Sequence, residues 1–197
     1  KKFTDFFEAQ LLLVLDSIKK HNYKQGVFYI NNLKKYENEG AFELVVSSTL
    51  EEYIYLFENN EISSSLEKSF GNLSLINRAF QNCYLEKSNT QSFFDNLINS
   101  QEIDYSRYLF FYINYLISQN NLTKAKSKSL NINPLSSNLL ISQAKKWIDE
   151  ENFNEFGKIF SCKNTNDLIA EFLFLISNLY SSEGDLVKSN YYLNLSK

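Results

Sequence analysis

The sequence predicts an all-α fold in which about five to six antiparallel helical hairpins stack as one domain over residues 1–197. Apolar side chains recur with a period near 3.6 along most of the chain, as they do on amphipathic helices. Five glycines and one proline are too few to punctuate the many short strands of an all-β protein. Polar corners recur at similar intervals, which is typical of arrays of helical hairpins.

The periodicity predicts a helix in each stretch that lies between two polar corners. In chain order, these stretches are residues 3–20, 24–39, 42–57, 62–70, 73–86, 93–98, 105–118, 122–130, 136–149, 153–161 and two helices within 170–197. Gly40 follows a predicted helix, and we expect it to stop that helix by tolerating a positive φ. Gly71 and Asn72 are expected to break the helix predicted at 62–70. Asp104 is a suitable cap for the helix that begins at Tyr105.

Three stretches need an argument beyond periodicity. Residues 45–49 favour a strand locally, but the apolar stripe of 42–57 has helical spacing and favours a helix. Residues 105–118 are apolar nearly all round the middle of the helix, so we expect this helix to lie between neighbours. Residues 170–197 read as two amphipathic helices joined by a tight corner at 181–185.

The corners share one pattern, a polar turn residue followed by Asn or Asp and then by an apolar residue. The Asn or Asp side chain can accept a hydrogen bond from an unpaired backbone N–H at the start of the next helix. The anchor residues are Asn22, Glu61, Asn89, Asn121, Asn152 and Asp185, with the pattern looser at Glu61 and Asn89. The steps between anchors range from about 28 to 39 residues and bracket the 34-residue tetratricopeptide period.

On these corners and on residues 170–197, the chain resembles the tetratricopeptide repeat family. A family-like corner at 184–186 separates the two helices of this hairpin. The family's apolar, small and aromatic positions are filled by Leu173, Ile176, Ser177 and Tyr180 before the corner and by Ser189, Leu193 and Ser196 after it. Over residues 103–161 the match is partial, because Ile113 and Phe156 are large where the family has small residues and Gln143 is polar. Before about residue 100 only the rhythm matches. The resemblance implies a right-handed superhelical α-solenoid.

Charge and hydropathy exclude several classes of partner. The net charge of −3 leaves no basic footprint for a nucleic-acid backbone. The densest basic run, Lys124, Lys126 and Lys128, is best interpreted as a solvated helix face. The longest apolar run, residues 109–117, is far shorter than the roughly 20 residues that span a bilayer.

The sequence predicts no catalytic site, cofactor or metal. His21 is the only histidine, and we interpret it as an exposed turn residue. The carboxylates of Glu51 and Glu52, like those of residues 149–151, are adjacent in sequence and point in different directions on a helix. The chain has no glycine-rich loop of the kind that cradles phosphates.

The two cysteines, Cys83 and Cys162, lie far apart in apolar neighbourhoods. We expect each to be a small buried residue without a disulfide, which slightly favours a reducing, cytoplasmic compartment. The chain lacks Met and stops within a helical pattern, so we expect both ends to be cuts in a longer protein. Its Asn- and Lys-rich composition is typical of an AT-rich bacterial genome.

The resemblance implies a non-enzymatic scaffold that binds a peptide or partner protein in a concave groove lined by the first helix of each hairpin. On the last such helix, the residues expected to face the groove are Glu171, Phe174, Asn178, Ser181 and Ser182.

Two alternatives remain open. The chain could be a helical accessory region of a larger, cell-wall-cleaving enzyme. It could also be a structural element that associates with a second copy through the apolar residues of its last helix, Leu186, Leu193 and Leu195.

Leu173→Ala is a direct test of the predicted packing of the last hairpin. We expect the free energy of unfolding to fall by about 2–5 kcal/mol, because truncation leaves a cavity between packed helices. Chemical denaturation measures this change. A near-neutral result would show that Leu173 is not an interface residue.

Overall fold

Helices form all the regular secondary structure that the computed structural model describes, over residues 6–36, 38–99, 106–130, 132–133 and 137–197. No strand occurs within these ranges, so the predicted all-α class is confirmed. The α-helices of these ranges are α1 (Phe7–Lys19), α2 (Tyr23–Leu33), α3 (Glu43–Asn59), α4 (Asn72–Tyr84), α5 (Thr90–Asn99), α6 (Ser106–Ser118), α7 (Leu122–Ser129), α8 (Leu139–Asp149), α9 (Phe156–Ile159), α10 (Thr165–Ser182) and α11 (Leu186–Leu195). Short 3-10 turns at Lys34–Tyr36 and Phe153–Glu155 follow α2 and precede α9.

The chain divides into two compact units. The first unit joins the segment up to Ser74 to Thr165–Lys197, and the second unit is Leu75–Asn164. In the first unit α1 packs against both α2 and α10, and α10 packs against α11. Hairpins from the two ends of the sequence therefore share one core, whereas a simple solenoid brings together only neighbours in sequence. The predicted superhelix stays a prediction.

Aromatic side chains fill the core of the first unit. Tyr53 of α3 lies 6.2 Å from Phe172 of α10, measured between ring centroids. Tyr191 of α11 donates a hydrogen bond from its hydroxyl to the backbone oxygen of Glu8 in α1, at 3.0 Å. These contacts attach the last hairpin to α1 and α3.

Helix α6 is the centre of the second unit, where it packs against α5, α7, α8 and α9. The prediction that this apolar helix lies between neighbours is confirmed. Its one buried amide, Asn114, donates a hydrogen bond to the backbone oxygen of Phe160 at 2.6 Å. This bond satisfies a polar side chain that would otherwise be costly in an apolar core.

The hairpin corners repeat one backbone geometry. Five of them place a residue in the left-handed conformation, and these are His21, Glu86, Asn120, Glu151 and Gly184. The next residue then donates its N–H to the carbonyl five positions back, from Asn22, Lys87, Asn121, Asn152 and Asp185, at 2.8–3.0 Å. This is the Schellman closure of a helix end. The same backbone hydrogen bond therefore closes the helix at each of these five corners.

The side-chain caps predicted at the corners form in three of four strong cases. The side-chain oxygens of Asn22, Asn121 and Asp185 each accept a hydrogen bond from the backbone N–H three residues on. Asn152 makes no such bond and begins a 3-10 turn instead. Asn138 caps α8 in the same way, at 3.1 Å from the N–H of Ile141, although the sequence pattern did not mark it.

The short helix predicted at residues 62–70 is wrong, because turns and irregular backbone occupy this stretch and α4 begins at Asn72. Side chains compete here for the backbone groups that a helix would pair. The hydroxyl of Ser74 accepts a hydrogen bond from the N–H of Phe70 at 2.7 Å and donates to the oxygen of Lys68 at 3.2 Å.

Other predicted helices match to within a few residues at most ends, with two larger differences. The stretch 153–161 contains only a 3-10 turn and the four-residue α9, and α10 begins at Thr165, five residues before the predicted start at 170. The predicted starts Phe3, Tyr105 and Ser136, together with the predicted cap Asp104, lie outside the described residues.

Small residues let α10 and α11 approach closely, and Ser189 tests this contact. Ser177 donates a hydrogen bond from its hydroxyl to the backbone oxygen of Ser189 at 2.8 Å, and both residues are buried. We expect Ser189→Leu to lower the free energy of unfolding by about 1–3 kcal/mol through overpacking. Ser189→Ala keeps the space and should cost about 1 kcal/mol or less. Equal effects in urea denaturation would contradict the close approach.

Candidate functional site

The five residues expected to face a partner lie on α10 and differ in exposure. Asn178, Ser181 and Ser182 are exposed, Phe174 is half-buried, and Glu171 is buried with 5% of its surface exposed. A partner could therefore contact the first four directly. Positions 174, 178, 181 and 182 follow the i, i+4, i+7 and i+8 spacing that places side chains on one helix face. We call these four residues the α10 face.

The opposite side of α10 is packed into the first unit. Leu173, Ile176, Ser177 and Tyr180 are all buried. Glu171 also lies on the interior side, near Tyr53. Burial, and then the charges of Glu52 and Glu171, raise the pKa of Tyr53. The helix that presents the α10 face is thus held along its length by buried contacts.

A buried ion pair anchors the hairpin that carries the α10 face. The Glu43 side chain at the start of α3 is 3% exposed and pairs with Lys188 of α11, whose side chain is 28% exposed. The same carboxylate accepts a hydrogen bond from the backbone N–H of Phe42 at 3.1 Å. The buried carboxylate is therefore paired with a cation and with a backbone donor, as a buried charge requires.

Three aromatic rings surround this ion pair. The rings of Phe42 and Tyr180 meet edge to face at 4.9 Å, and those of Tyr180 and Tyr192 stack at 5.4 Å. The Lys188 ammonium lies 5.1 Å from the Tyr180 ring centroid, within cation–π range. Burial raises the pKa of both tyrosines and keeps their hydroxyls protonated. Phe42, Glu43, Tyr180, Lys188 and Tyr192 together form what we call the Glu43 cluster.

Gly40 is required beside the Glu43 cluster for a reason that the sequence did not suggest. The prediction that Gly40 adopts a positive φ is wrong, whereas Gly71 does so with φ 59°. A Cβ atom at residue 40 would lie about 2.1 Å from the carboxylate oxygens of Glu43. Gly40 therefore provides space for the buried carboxylate.

The second unit contains a small cleft that the sequence did not predict. The expectation that the two cysteines are separate buried residues is wrong, because Cys83 and Cys162 form a disulfide. This finding also removes the basis for favouring a reducing compartment. The bond lines a cleft of about 140 Å³ with Phe111, Asn114, Gly157 and Lys163. Nothing in the spacing of two cysteines 79 residues apart could have revealed the pairing.

All three lysines of the basic run of α7 form ion pairs, Lys126 with Glu151 at 2.7 Å. Lys124 and Lys128 both bind the Asp95 carboxylate of α5, at 3.2 and 2.6 Å, and only Lys126 is exposed. Burial opposes ionisation of Asp95, but hydrogen bonds from Lys128, Tyr112 and Lys124 outweigh it and lower the pKa of this carboxyl. The predicted solvated face therefore applies to Lys126 alone.

Metal ligands, the single histidine and membrane-spanning helices are the other features that bear on function. Within the described residues, no three His, Cys, Asp or Glu side chains come together in a group that could hold a metal ion. His21 is exposed, and its Nδ1 lies 2.9 Å from the hydroxyl of Tyr23. None of the helices in the described ranges has the length and apolar character needed to cross a membrane.

Comparisons of the chain with protein-family models, with curated proteins and with solved structures found no match.

Lys188→Met tests the contribution of the buried ion pair. We expect the free energy of unfolding to fall by about 3 kcal/mol, the low end of the range for breaking a buried pair, because Lys188 keeps partial contact with water. Urea denaturation measures the loss.

Lys20→Met is the matched control, because it removes the exposed pair between Lys20 and Asp16. This control should cost less than about 1 kcal/mol. If the two variants lose equal stability, the Glu43–Lys188 pair does not hold the first unit together.

Proposed function

We propose that the chain is a non-enzymatic interaction module of tetratricopeptide-like hairpins that binds a peptide or partner protein through the α10 face. The observation that carries this proposal is the contrast between the two sides of α10. One side is buried, while Asn178, Ser181 and Ser182 are exposed and Phe174 is half-buried beside them. The proposal assigns no catalytic residue.

The chemistry of the α10 face suits a peptide better than an ionic ligand. The face offers an aromatic ring, an amide and two hydroxyls, and none of these groups is charged. An extended peptide can donate and accept backbone hydrogen bonds with amides and hydroxyls while an apolar side chain packs on the ring. The buried contacts of α10 favour such binding, because a preorganised surface loses little conformational entropy when a ligand binds.

The packing of the hairpins also supports the proposal. The hairpin α10–α11 contacts the hairpin α1–α2 through α1 and α10, which are the first helices of the two pairs. In a right-handed array of hairpins, first helices line the concave surface. The α10 face would then belong to a groove, and a peptide in that groove could contact more than one hairpin.

The test is a selection of displayed random peptides on the immobilised 197-residue chain, followed by measurement of Kd for the selected peptides. We expect peptides that bind wild type to lose at least tenfold in affinity for Asn178→Arg/Ser182→Arg. Two long cationic side chains would cover the face that the peptide contacts.

Asn190→Arg on α11 is the control. Asn190 is exposed, and this substitution introduces an arginine on a helix other than α10. The control variant should retain wild-type Kd. The proposal is contradicted if selected peptides bind the double variant as tightly as wild type, or if no peptide is enriched.

A further inference from the structure

The disulfide of the second unit ties together the two ends of that unit. Cys83 lies near the end of α4 and Cys162 lies in the loop between α9 and α10, while the unit itself runs from Leu75 to Asn164. The bond therefore closes almost the whole unit into one covalent loop. A loop of this length restricts the unfolded chain strongly.

Non-covalent contacts reinforce the same connection. Lys163 donates a hydrogen bond from its ammonium to the backbone oxygen of Tyr84 at 2.7 Å and pairs with Glu86 at 3.2 Å. The rings of Phe80 and Phe160 lie 5.5 Å apart. Each of these contacts joins the α4 end of the unit to residues 160–163. We call the disulfide and these contacts the clasp.

The two cysteine residues differ in exposure. Cys83 is 2% exposed, whereas Cys162 is half-buried, and both line the cleft. The cleft volume of about 140 Å³ is below the range of pockets for drug-sized ligands, which is roughly 300–1,000 Å³. A molecule that reaches the bond through the cleft must therefore be small, and Cys162 is the more exposed of the two cysteines that it can contact there.

We propose that the clasp is a site of thiol–disulfide exchange, at which a small thiol enters the cleft and attacks Cys162. The incoming thiolate forms a new S–S bond to Cys162 Sγ. The bond between Cys162 and Cys83 breaks, and Cys83 leaves as a thiolate that takes a proton from water.

A second thiolate completes the exchange. It attacks the small-molecule sulfur of the mixed disulfide and releases Cys162 as a thiolate, which is protonated in turn. The two thiols are oxidised to one small disulfide and the protein disulfide is reduced to two thiols, so atoms and electrons balance.

The charges of the cleft lining balance, because Lys163 and Glu86 pair at 3.2 Å, so an incoming anion meets no net negative charge. The nucleophile in thiol exchange is the anionic thiolate. Lys163 follows Cys162 in sequence and places a cation on the cleft wall, where Glu86 is its partner. After reduction, the contacts of Lys163 and Phe160 remain, so the folded unit persists but opens more readily because its unfolded chain is no longer restricted.

The direct test treats the folded 197-residue chain with 2-mercaptoethanol, quenches the reaction with acid at short times, and maps mixed disulfides by mass spectrometry. We expect at least tenfold more adduct on Cys162 than on Cys83. Equal adducts, an excess on Cys83, or reaction only under unfolding conditions would overturn the proposal.

Gly157→Leu tests the route through the cleft. Gly157 lines the cleft, and a Cβ atom built there meets no atom within 4 Å, so a side chain at this position starts in open space. We expect this variant to slow reduction at least tenfold. Lys158→Leu is the matched control at a neighbouring exposed position that does not line the cleft, and it should react at the wild-type rate.

A folded Gly157→Leu variant that reacts as fast as wild type would overturn the proposed route. If Gly157→Leu does not fold, the test is the rate at which thiols of different size reduce the wild-type disulfide. 2-Mercaptoethanol should then react at least tenfold faster per thiolate than glutathione, and equal rates would overturn the proposal. The readout involves no partner, so its outcome is independent of the function proposed for the α10 face.

Discussion

The buried ion pair between Glu43 and Lys188 is the constraint on which the first unit depends. The two residues are 145 positions apart in sequence, and the carboxylate is almost completely removed from water. A charge in that environment is tolerated only when it is paired and hydrogen-bonded, so the start of α3 and the start of α11 must be assembled together. The aromatic rings pack around the pair and help to bury the Glu43 carboxylate, while Lys188 keeps partial contact with water. Gly40 leaves the space that the carboxylate occupies.

This ion pair links hairpins that are distant in sequence, in addition to the contacts between neighbouring hairpins. Each hairpin leaves an apolar face that only another hairpin can cover. In the first unit the last hairpin packs against α1 and contacts α3, and in the second unit α6 packs against α5, α7, α8 and α9. A covalent bond joins the ends of the second unit, and an ion pair joins distant segments of the first. Each unit thus has a link between residues far apart in sequence, a disulfide in the second unit and an ion pair in the first.

The local structure could be predicted from the sequence, because helices and corners are encoded by neighbouring residues. The period of the apolar residues gave the all-α class and most helices, and the position of Asn22, Asn121 and Asp185 gave their caps. The helix predicted at 62–70 does not form, and the hydroxyl of Ser74, outside that stretch, binds the backbone of Lys68 and Phe70 in place of a helical turn. The period of the apolar residues carries no information on hydrogen bonds between side chains and the backbone.

Long-range pairings could not be predicted. Glu43 is one of many surface-like carboxylates in the sequence, and only the fold shows that Lys188 reaches it. Cys83 and Cys162 are likewise joined by topology. The α10 face lies between these two cases. Positions 174, 178, 181 and 182 share one side of α10, and their role in binding a partner stays a prediction. Burial of Glu171 came from α3, which a single-helix pattern does not contain.

The central claim is that α10 and α11 form one cooperative unit with α1, α2 and α3, so that the α10 face is presented by a rigid core. Native-state amide hydrogen exchange across a range of low denaturant concentrations measures this most directly, because it gives an opening free energy for each helix. We expect the core amides of α3, α10 and α11 to converge on a common opening free energy. An α11 that exchanges through a much smaller opening free energy than α3, as the end of an independent array would, contradicts it.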